Sequence, residues 1–472
     1  MVMDLVAEPG AWAERHFGSV ALGDVRRTRR LVASAAQIAQ HPEHSFPQVF
    51  DWNGLRGFYG VCNRPEATLP TVQAPHWEHT RRAMAQWPLV LILHDTTQLD
   101  FTSHWALTGT GPIGEGHARG FLQHNSLAIV PPPRQVLGLA YQQWRVRQAA
   151  PKGETSAQRK HRERESDLWR AGIRAPGKPP PGCCWVDVGD AGADLYEAMA
   201  AARQVDHHFL FRASQDRLVL RSPEPRQAEV PVMTYARTLP AQGDATVAIP
   251  SRGGRPARTA HVQVAAAPVW VPAPTEVRQR WQQPILEAWV IRVWEPAPPA
   301  DVEEPLEWIL LCSLPTTTVA EIHERRLWYS RRWLGEVFHD IEKNGCAEED
   351  RRFETAAAME ACLAILSVVA VRVFQLRCAL ENQPQAPAEQ VATASELTVL
   401  RGFLRTRQQR LTVREFVRGV ARLGGFLGRQ GDGNPGVRSL WRGYQRLQDM
   451  VLGVHCHSLS DRSSPETRPR SW

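Results

Sequence analysis

The sequence predicts an α/β protein in which acidic residues follow the strands. Residues 89–93 are an apolar run typical of a buried strand, and they lead into His94 and Asp95. A second run, residues 183–186, leads into an acidic turn with two glycines and then into a helical pattern at 195–199. Because functional sites in α/β sheets form where strands end, both places are candidates for such a site.

The first 70 residues or so are predicted as short helices. Residues 31–39 have an apolar helical face, and breaks fall near Pro47 and Pro65. From about residue 71 strands and helices alternate, and the runs 126–130 and 136–140 have the pattern of a hairpin around prolines 131–133.

The second half of the chain adds strands and then helices. The basic stretch 148–182 predicts a loop with one helix near residues 162–170. Alternating runs at 261–265 and 289–294 predict strands. Residues 382–393 are polar, contain proline and suit a linker before a helical C-terminal part.

One predicted helix carries a carboxylate among cations. Its residues are Tyr329, Arg332, Glu336 and Lys343. Offsets of three, seven and fourteen residues lie within roughly 60° on a helix, so the four side chains share one face. A lysine here is unusual because the chain has four lysines and 52 arginines. Such a face suits a phosphate-handling metal site, whereas an ordinary solvated face with ion pairs is the alternative.

The turn after residues 183–186 offers three aspartates, Asp187, Asp190 and Asp194, and spacing alone does not choose among them. A lone aspartate after a strand is often a helix cap or a turn residue. Together with Asp95 and Glu336, however, one of them completes a set of three carboxylates, which can hold a pair of Mg²⁺ ions.

Size and composition predict a soluble protein of several domains. The chain has 472 residues and is 43% hydrophobic. Its start lacks the basic and apolar regions of a signal peptide, and the apolar stretch 361–380 contains Arg372 and Arg377, so it is predicted as a buried helix. No C-x-x-C pair is present, which argues against a zinc ribbon. We therefore expect a cytoplasmic protein that does not span a membrane.

Positive charge is concentrated in two segments. The net charge is +7, residues 401–472 hold fourteen arginines and five acids, and residues 144–174 hold nine bases and four acids. This clustering predicts a polyanionic partner such as a nucleic acid. The base composition of the gene would explain arginine in place of lysine, but it would not explain the clustering.

The spacing Tyr329-x2-Arg332-x3-Glu336-x6-Lys343 matches the Tyr-Arg-Glu-Lys motif at every position. In this the chain resembles the DDE cut-and-paste transposases of the bacterial insertion-sequence-four family. Further matches span roughly residues 11 to 455: Trp12, Ala21 to Asp24, Arg26 to Val32, Asp95 to Thr97, Asp190 with Asp194, Trp308 to Leu311, Ala421 to Phe426 and Leu440 to Gln448. One departure is the pair Ala191 and Gly192, where bulkier polar residues are expected.

The resemblance implies a ribonuclease-H-like mixed-sheet catalytic core with a β-strand insertion, flanked by helical domains. The implied divisions are an N-terminal DNA-end-binding domain at 1–70, a catalytic domain at 71–385 with the insertion at about 213–310, and a dimerisation domain at 386–472 that ends in a disordered tail. It also implies that Asp95, Asp190 and Glu336 form the metal-binding triad, with Asp187 as the fallback. Two Mg²⁺ ions would bind there, and Mn²⁺ could substitute.

The same resemblance assigns the DNA contacts. Trp308 would stack on a base flipped out of the transposon end, although core packing is the alternative for a tryptophan in a strand. The residues expected to contact end-DNA phosphates are Tyr329, Arg332, Lys343 and Arg212, while Arg30 would meet the recognition sequence.

The implied activity is cut-and-paste excision and integration of a bacterial mobile element, through a hairpin on the transposon end. The expected partners are the terminal inverted repeats, target DNA and a second copy of the chain in a synaptic complex, which would associate with the nucleoid. Two alternatives are a catalytically silent regulator derived from a transposase and a stand-alone nuclease. Intact acids argue against the first, and the matches at both ends of the chain argue against the second.

Overall fold

The computed structural model describes residues 8–131, 135–148, 164–224, 228–249, 257–275, 285–300, 302–429 and 434–462, with the single residues 153, 155 and 432. The predicted disordered tail is residues 462–472, of which only Arg462 is described, as the last residue of a helix; the rest of the tail and most of the predicted proline turn lie outside this part of the chain.

Short helices form the N-terminal part, as the sequence predicts. They are α1 Pro9–Phe17, α2 Val25–Gln40, α3 Phe46–Val49, α4 Trp52–Cys62 and α5 Leu69–Met84. Aspartates begin two of them: Arg26 N donates to Asp24 Oδ1 (2.8 Å) ahead of α2, and Gly54 N donates to Asp51 Oδ1 (2.7 Å) ahead of α4.

Ten strands form one mixed sheet. They are β1 Leu89–Asp100, β2 Gly111–Pro112, β3 Arg119–Val130, β4 Gln135–Arg145, β5 Cys184–Gly189, β6 His208–Arg212, β9 Gly243–Ile249, β10 Arg258–Pro272, β11 Ile285–Trp294 and β12 Glu307–Cys312. The order is β2-β3-β1-β5-β6-β12-β11-β10-β9, with β4 also paired to β3. Two short strands, β7 Leu218–Val219 and β8 Val230–Pro231, pair separately.

The centre of this sheet is a ribonuclease-H-like core. Strands β1, β3 and β4 are successive antiparallel neighbours, so the predicted hairpin is confirmed. Strands β5 and β6 then follow parallel to β1. Parallel strands need crossover connections, and these hold α6 Ser166–Arg174 and α7 Tyr196–Gln204.

The predicted β insertion is present and extends the same sheet. Strands β9 to β12 are antiparallel to one another, and β12 pairs with β6. Along β9 every second residue is exposed, because one face of the strand is open to solvent.

Helices cover both faces of the core. Helices α6 and α7 pack on one face, whereas α5 and α11 pack on the other. The helices after the crossovers are α8 Val232–Thr238, α9 Val319–Ser330, α10 Trp333–Asp340 and α11 Ala356–Asn382. Helix α11 is long and apolar enough to cross a membrane, but 83% of its apolar window is buried in the protein. It is therefore the buried core helix that the sequence predicts.

The C-terminal part is helical and has its own apolar cluster. Its helices are α12 Ala394–Leu404, α13 Val413–Leu423 and α14 Val437–Arg462. Leu400, Phe416 and Leu447 are buried among them. The predicted linker contains a short 3₁₀ helix, Ala388–Gln390, whose first residue donates its backbone N–H to Leu411 O (2.9 Å).

Candidate active site

Asp95 and Asp190 are placed side by side by two parallel strands. The register of β1 with β5 ends at the pair His94 and Gly189, and each acid is the next residue along its chain. One expectation is corrected here, because β1 does not end at Asp95. It continues to Asp100, since β3 pairs with it along that whole length.

Asp95 is almost fully buried, at 9% exposure. Burial, helped by the nearby carboxylates of Asp190 and Glu336, raises the pKa of its carboxyl from 3.8 to about 7. The Arg332 guanidinium and the Thr96 backbone N–H, which donates to Oδ1 (2.9 Å), oppose this rise. Asp95 is therefore a carboxyl that holds its negative charge only with help from a cation.

The three competing aspartates have different surroundings. Asp187 is fully buried, and His94 Nε2 (2.9 Å) and His207 Nδ1 (3.0 Å) occupy its two oxygens. Asp194 is also buried, and it pairs with Arg217.

Asp190 differs because it is only half-buried. Its Oδ1 accepts from Gly192 N (2.8 Å) and so begins the 3₁₀ helix Ala191–Ala193. Of the three, it is the aspartate whose charge acts on Asp95.

Arg332 lies between two of the carboxylates. Its NH2 donates to Glu336 Oε1 (2.8 Å), and its NH1 is 3.8 Å from Asp95 Oδ2. Helix α10 can approach Asp95 closely because residue 335 is glycine. A Cβ atom at Gly335 would lie 3.3 Å from both Cβ and Oδ2 of Asp95. The close approach puts Glu336, Arg332 and Asp95 in one cluster.

The four motif residues do not lie on one continuous α-helix, so that prediction is wrong. Helix α9 ends after Tyr329, and the turn before α10 tightens to three-residue bonds, such as Arg332 N to Tyr329 O (3.0 Å). After α10, residues 341–345 form a π-helical turn, in which Cys346 N donates to Ile341 O (2.9 Å). Each irregularity changes the angular phase, which a uniform 100° step does not anticipate.

Lys343 is held against β1 by that π-helical turn. Its Nζ donates to Gln98 O (2.5 Å) and lies 3.5 Å from Glu349 Oε1. Glu349 in turn accepts from Asp100 N (2.9 Å). The lysine is thus bonded to the strand that carries Asp95, at a residue three positions after that acid.

Trp308, Tyr329 and Arg212 form a second group beside the carboxylates. The rings of Trp308 and Tyr329 meet edge to face, with centroids 5.2 Å apart. Burial raises the pKa of Tyr329, while the charges of Arg332 and Arg212 oppose this. Arg212 is exposed at the end of β6, where it pairs in register with Leu310 of β12. Trp308 is half-buried, so part of its surface is open.

Arg30 is not part of either group. It is exposed on α2, and its guanidinium lies over Gly57 of α4, where an added Cβ would be 2.7 Å from Nε. The glycine therefore makes room for the arginine on the surface of the N-terminal helices.

His339 was missed by sequence reasoning. It lies three residues after Glu336, and its Nδ1 is 3.9 Å from Asp95 Oδ2. Burial, Lys343 and Arg332 together lower its pKa to about 3, so the ring is neutral. Its Nε2 is buried and has no hydrogen-bond partner in the described part of the chain. The i+3 spacing from Glu336 was the signal that could have found it.

A buried polar network behind the site was also missed. Asn125, which faces Asp95 across β1 and β3, donates from Nδ2 to Glu342 Oε2 (2.8 Å). Gln142 Nε2 donates to Glu342 Oε1 (3.1 Å) and to Ser367 Oγ (2.9 Å). These bonds tie the π-helical turn to the sheet, and side chains of four different elements take part, so no local pattern reveals them.

The carboxylates suit a hard divalent cation by chemistry, although their present spacing does not form a closed site. Among the described residues no group of three acids, histidines or cysteines is close enough to hold a metal ion. The Arg332 guanidinium occupies the gap between Asp95 and Glu336 and supplies positive charge there. Oxygen ligands around a place that already attracts a cation are what Mg²⁺ prefers.

Two family models match the chain. One, described as transposase DNA-binding, matches residues 9–67, and the other, the transposase Tn5 dimerisation domain, matches residues 369–464. The first span contains α1 to α4 with Arg30, and the second contains the end of α11 with α12 to α14. The motifs of the sequence point in particular to the transposase of transposon Tn5, and both matches agree with that resemblance.

Proposed function

The chain is a Tn5-like transposase, and from that premise we propose that it excises and integrates a bacterial mobile element by metal-dependent cleavage and strand transfer at a DDE site. Asp95, Asp190 and Glu336 are the proposed triad. The observation that supports this choice is the meeting of Asp95 with Glu336 at Arg332, beside the half-exposed Asp190. Asp187 is not chosen because two histidines already occupy its oxygens.

The three carboxylates would hold two Mg²⁺ ions, or Mn²⁺ in their place. When bound, such ions activate the attacking oxygen and stabilise the charge that develops on the phosphate. The DNA phosphates that enter the site would then offer the Arg332 guanidinium a bidentate partner in place of Asp95.

The remaining site residues would hold the transposon end. Arg212, Tyr329, Arg332 and Lys343 contact phosphates near the cleaved bond, and Arg30 meets the recognition sequence farther along the duplex. Trp308 stacks on a flipped base, because it is a large flat apolar ring that is only half-buried and is packed against Tyr329.

One site can repeat an in-line substitution at phosphorus. A water oxygen first attacks the phosphate at the transposon end, and the leaving oxygen becomes a free 3′ hydroxyl. That hydroxyl attacks the opposite strand, which closes a hairpin on the transposon end and releases the flanking DNA. A second water opens the hairpin and restores the 3′ hydroxyl, which then attacks a phosphate of the target DNA.

Two copies of the chain would act together. The span that matches the dimerisation model joins them, and each copy binds one transposon end while its partner's active site cuts that end. This arrangement requires both inverted repeats before cleavage begins.

The test is cleavage of labelled linear DNA that carries the element's own ends, with Mg²⁺, analysed on denaturing gels. The wild-type protein is compared with Glu336→Gln and with the control Asp340→Asn, whose carboxylate lies on the same helix but bonds to Asn344 (2.7 Å). Nicked and hairpin products are expected from the wild type and from the control, but not from Glu336→Gln.

Two outcomes would contradict the proposal. End binding without cleavage by the wild type would favour the silent, transposase-derived regulator. Equal cleavage by Glu336→Gln and wild type would remove Glu336 from the site.

A further inference from the structure

The segment 405–414, which we call the Arg loop, consists of the connection between α12 and α13 and the first two residues of α13, and it carries four exposed arginines. They are Arg405, Arg407, Arg410 and Arg414. Within the described part of the chain, none of the four side chains forms a hydrogen bond or an ion pair. A group of unpaired cations in ten residues is a strong local source of positive potential.

The loop has a defined backbone. Arg401, at the end of α12, donates from NH1 to Gln409 O (2.5 Å) and from Nε to Leu397 O (3.2 Å). At the other end, Val413 N donates to Ala386 O (2.8 Å). The arginines are therefore displayed from a held segment, and a ligand does not have to order the loop before it binds.

Few acids balance this charge. The carboxylate of Glu415 begins α13 by accepting from Thr412 N (2.8 Å) and Thr412 Oγ1 (2.9 Å), and its negative charge offsets one of the four arginines. The exposed Glu389, on the neighbouring 3₁₀ helix, is a second opposing charge. The excess positive charge of the Arg loop thus remains available to a partner.

A second copy of the chain is a poor partner for this surface. The Arg loop lies within the span that matches the dimerisation model. A two-fold interface sets residue i of one copy against residue j of the other, so an Arg loop on the axis would face another Arg loop and be repelled, while one off the axis would need an acidic patch opposite it. A phosphate backbone, by contrast, matches arginine in charge and in bidentate geometry. The match to a transposase DNA-binding model at residues 9–67 also makes DNA an expected partner of this chain.

We infer that the Arg loop binds the phosphate backbone of duplex DNA without reading its sequence. This contact lies outside the span that matches the DNA-binding model, and it would hold DNA beyond the transposon end, either flanking or target. The inference rests on the charge of the loop and is independent of the proposed catalytic residues.

The test measures affinity for a short duplex of random sequence as a function of KCl concentration. The variant Arg407→Gln, Arg410→Gln, Arg414→Gln is compared with wild type, and Arg405 is kept because its backbone is left-handed (φ 50°). Each lost phosphate contact lowers the salt slope by about 0.9, so the slope should fall by about 2.7. The lysine version of the three substitutions should keep most of the slope, since it keeps the charge.

A charge-matched control is Arg81→Gln, Arg174→Gln, Arg221→Gln, whose three arginines are exposed elsewhere. An equal fall in the control and the Arg loop variant would overturn the inference, as would an unchanged slope in the Arg loop variant. A loss of affinity for RNA duplex without a loss for DNA would assign the loop to a different partner. The single variant Arg407→Gln, with an expected fall of about 0.9, serves as the same test if the triple variant does not fold.

Discussion

At the scale of single residues, the glycine at position 335 lets α10 lie close to Asp95. Gly335 brings α10 against Asp95, so Gly335→Ala would place a methyl group 3.3 Å from Cβ and Oδ2 of that acid. Because catalytic groups displaced by about 1 Å can lose a hundredfold in rate, we expect cleavage to fall by about tenfold to a hundredfold while end binding is kept. Single-turnover cleavage of labelled end DNA measures this.

Gly402→Ala is the matched control for Gly335→Ala. Residue 402 is also a helical glycine, but nothing lies within 4 Å of its added Cβ. Its cleavage rate should equal that of the wild type, and its helix should become slightly more stable. A Gly335→Ala protein that cleaves as fast as the Gly402→Ala protein would show that the approach does not matter.

A second prediction concerns Glu342 and the pH dependence of folding stability. Burial raises the pKa of this acid from 4.5 to about 8, and the bonds from Ser367, Asn125 and Gln142 only partly offset the rise. The folded protein therefore binds a proton that the unfolded chain has lost, and its stability falls as pH rises from about 5 to about 8, by up to about 1.4 kcal/mol per pH unit. Glu342→Gln should reduce this slope, and the part that remains belongs to Glu348, a second buried acid whose pKa is raised.

Denaturant unfolding at several pH values between these limits measures the effect. The control is Glu354→Gln, which changes an exposed acid and should keep the wild-type slope. Parallel stability curves for wild type and Glu342→Gln would mean that Glu342 is ionised in the fold.

At the scale of elements, strand β5 carries Asp187 and leads into Asp190, and the two aspartates have different surroundings. Asp187 is bonded to His94 and His207 inside the protein, while Asp190 follows the strand and its charge acts on Asp95. Burial alone would raise the pKa of Asp187, but the two histidines outweigh it and the pKa is lowered. Asp187 therefore stabilises the fold at neutral pH, and this contribution is lost as pH falls below the ordinary range of an aspartate.

The two asparagine variants should accordingly fail in different ways. Asp187→Asn breaks a buried charge pair and should lower the free energy of unfolding by about 3 to 5 kcal/mol. Asp190→Asn should leave stability nearly unchanged and lower cleavage by about a hundredfold or more. Unfolding curves and cleavage rates of both variants measure this, with Asp244→Asn as an exposed control. Loss of cleavage in Asp187→Asn, with cleavage kept in Asp190→Asn, would make Asp187 the catalytic acid.

The elements also show what the sequence could and could not predict. Apolar runs located β1 and β5, and alternation located the added strands, because these patterns depend on neighbours along the chain. The turn at Arg332 and the π-helical turn that contains Lys343 interrupt the uniform helical period. Backbone hydrogen bonds at these two places cause the interruption, and composition does not predict them. Likewise, the residues that surround Glu342 and His339 come from strands and helices that are distant in sequence, so local patterns do not predict these contacts.

At the scale of the whole molecule, the matched ends of the chain separate DNA binding from dimerisation, while the acids lie between them. If each copy supplies one active site and both ends must be cut, activity depends on how many intact copies a dimer holds. Mixing wild-type and Glu336→Gln proteins in equal amounts makes about a quarter of the dimers fully intact when subunits combine at random.

Release of DNA cut at both ends should therefore fall to about a quarter of the wild-type yield, and products cut at one end should accumulate from mixed dimers. A monomer that cuts each end by itself would instead make the two cuts as independent events. The dependence of doubly cut DNA on paired subunits would then be absent, and mixing would not change the ratio of singly to doubly cut DNA in the way a dimer does. The measurement is the ratio of singly to doubly cut DNA across a dilution series. Mixing wild type with Asp340→Asn is the control, and it should keep the wild-type ratio because both proteins retain the acids of the site.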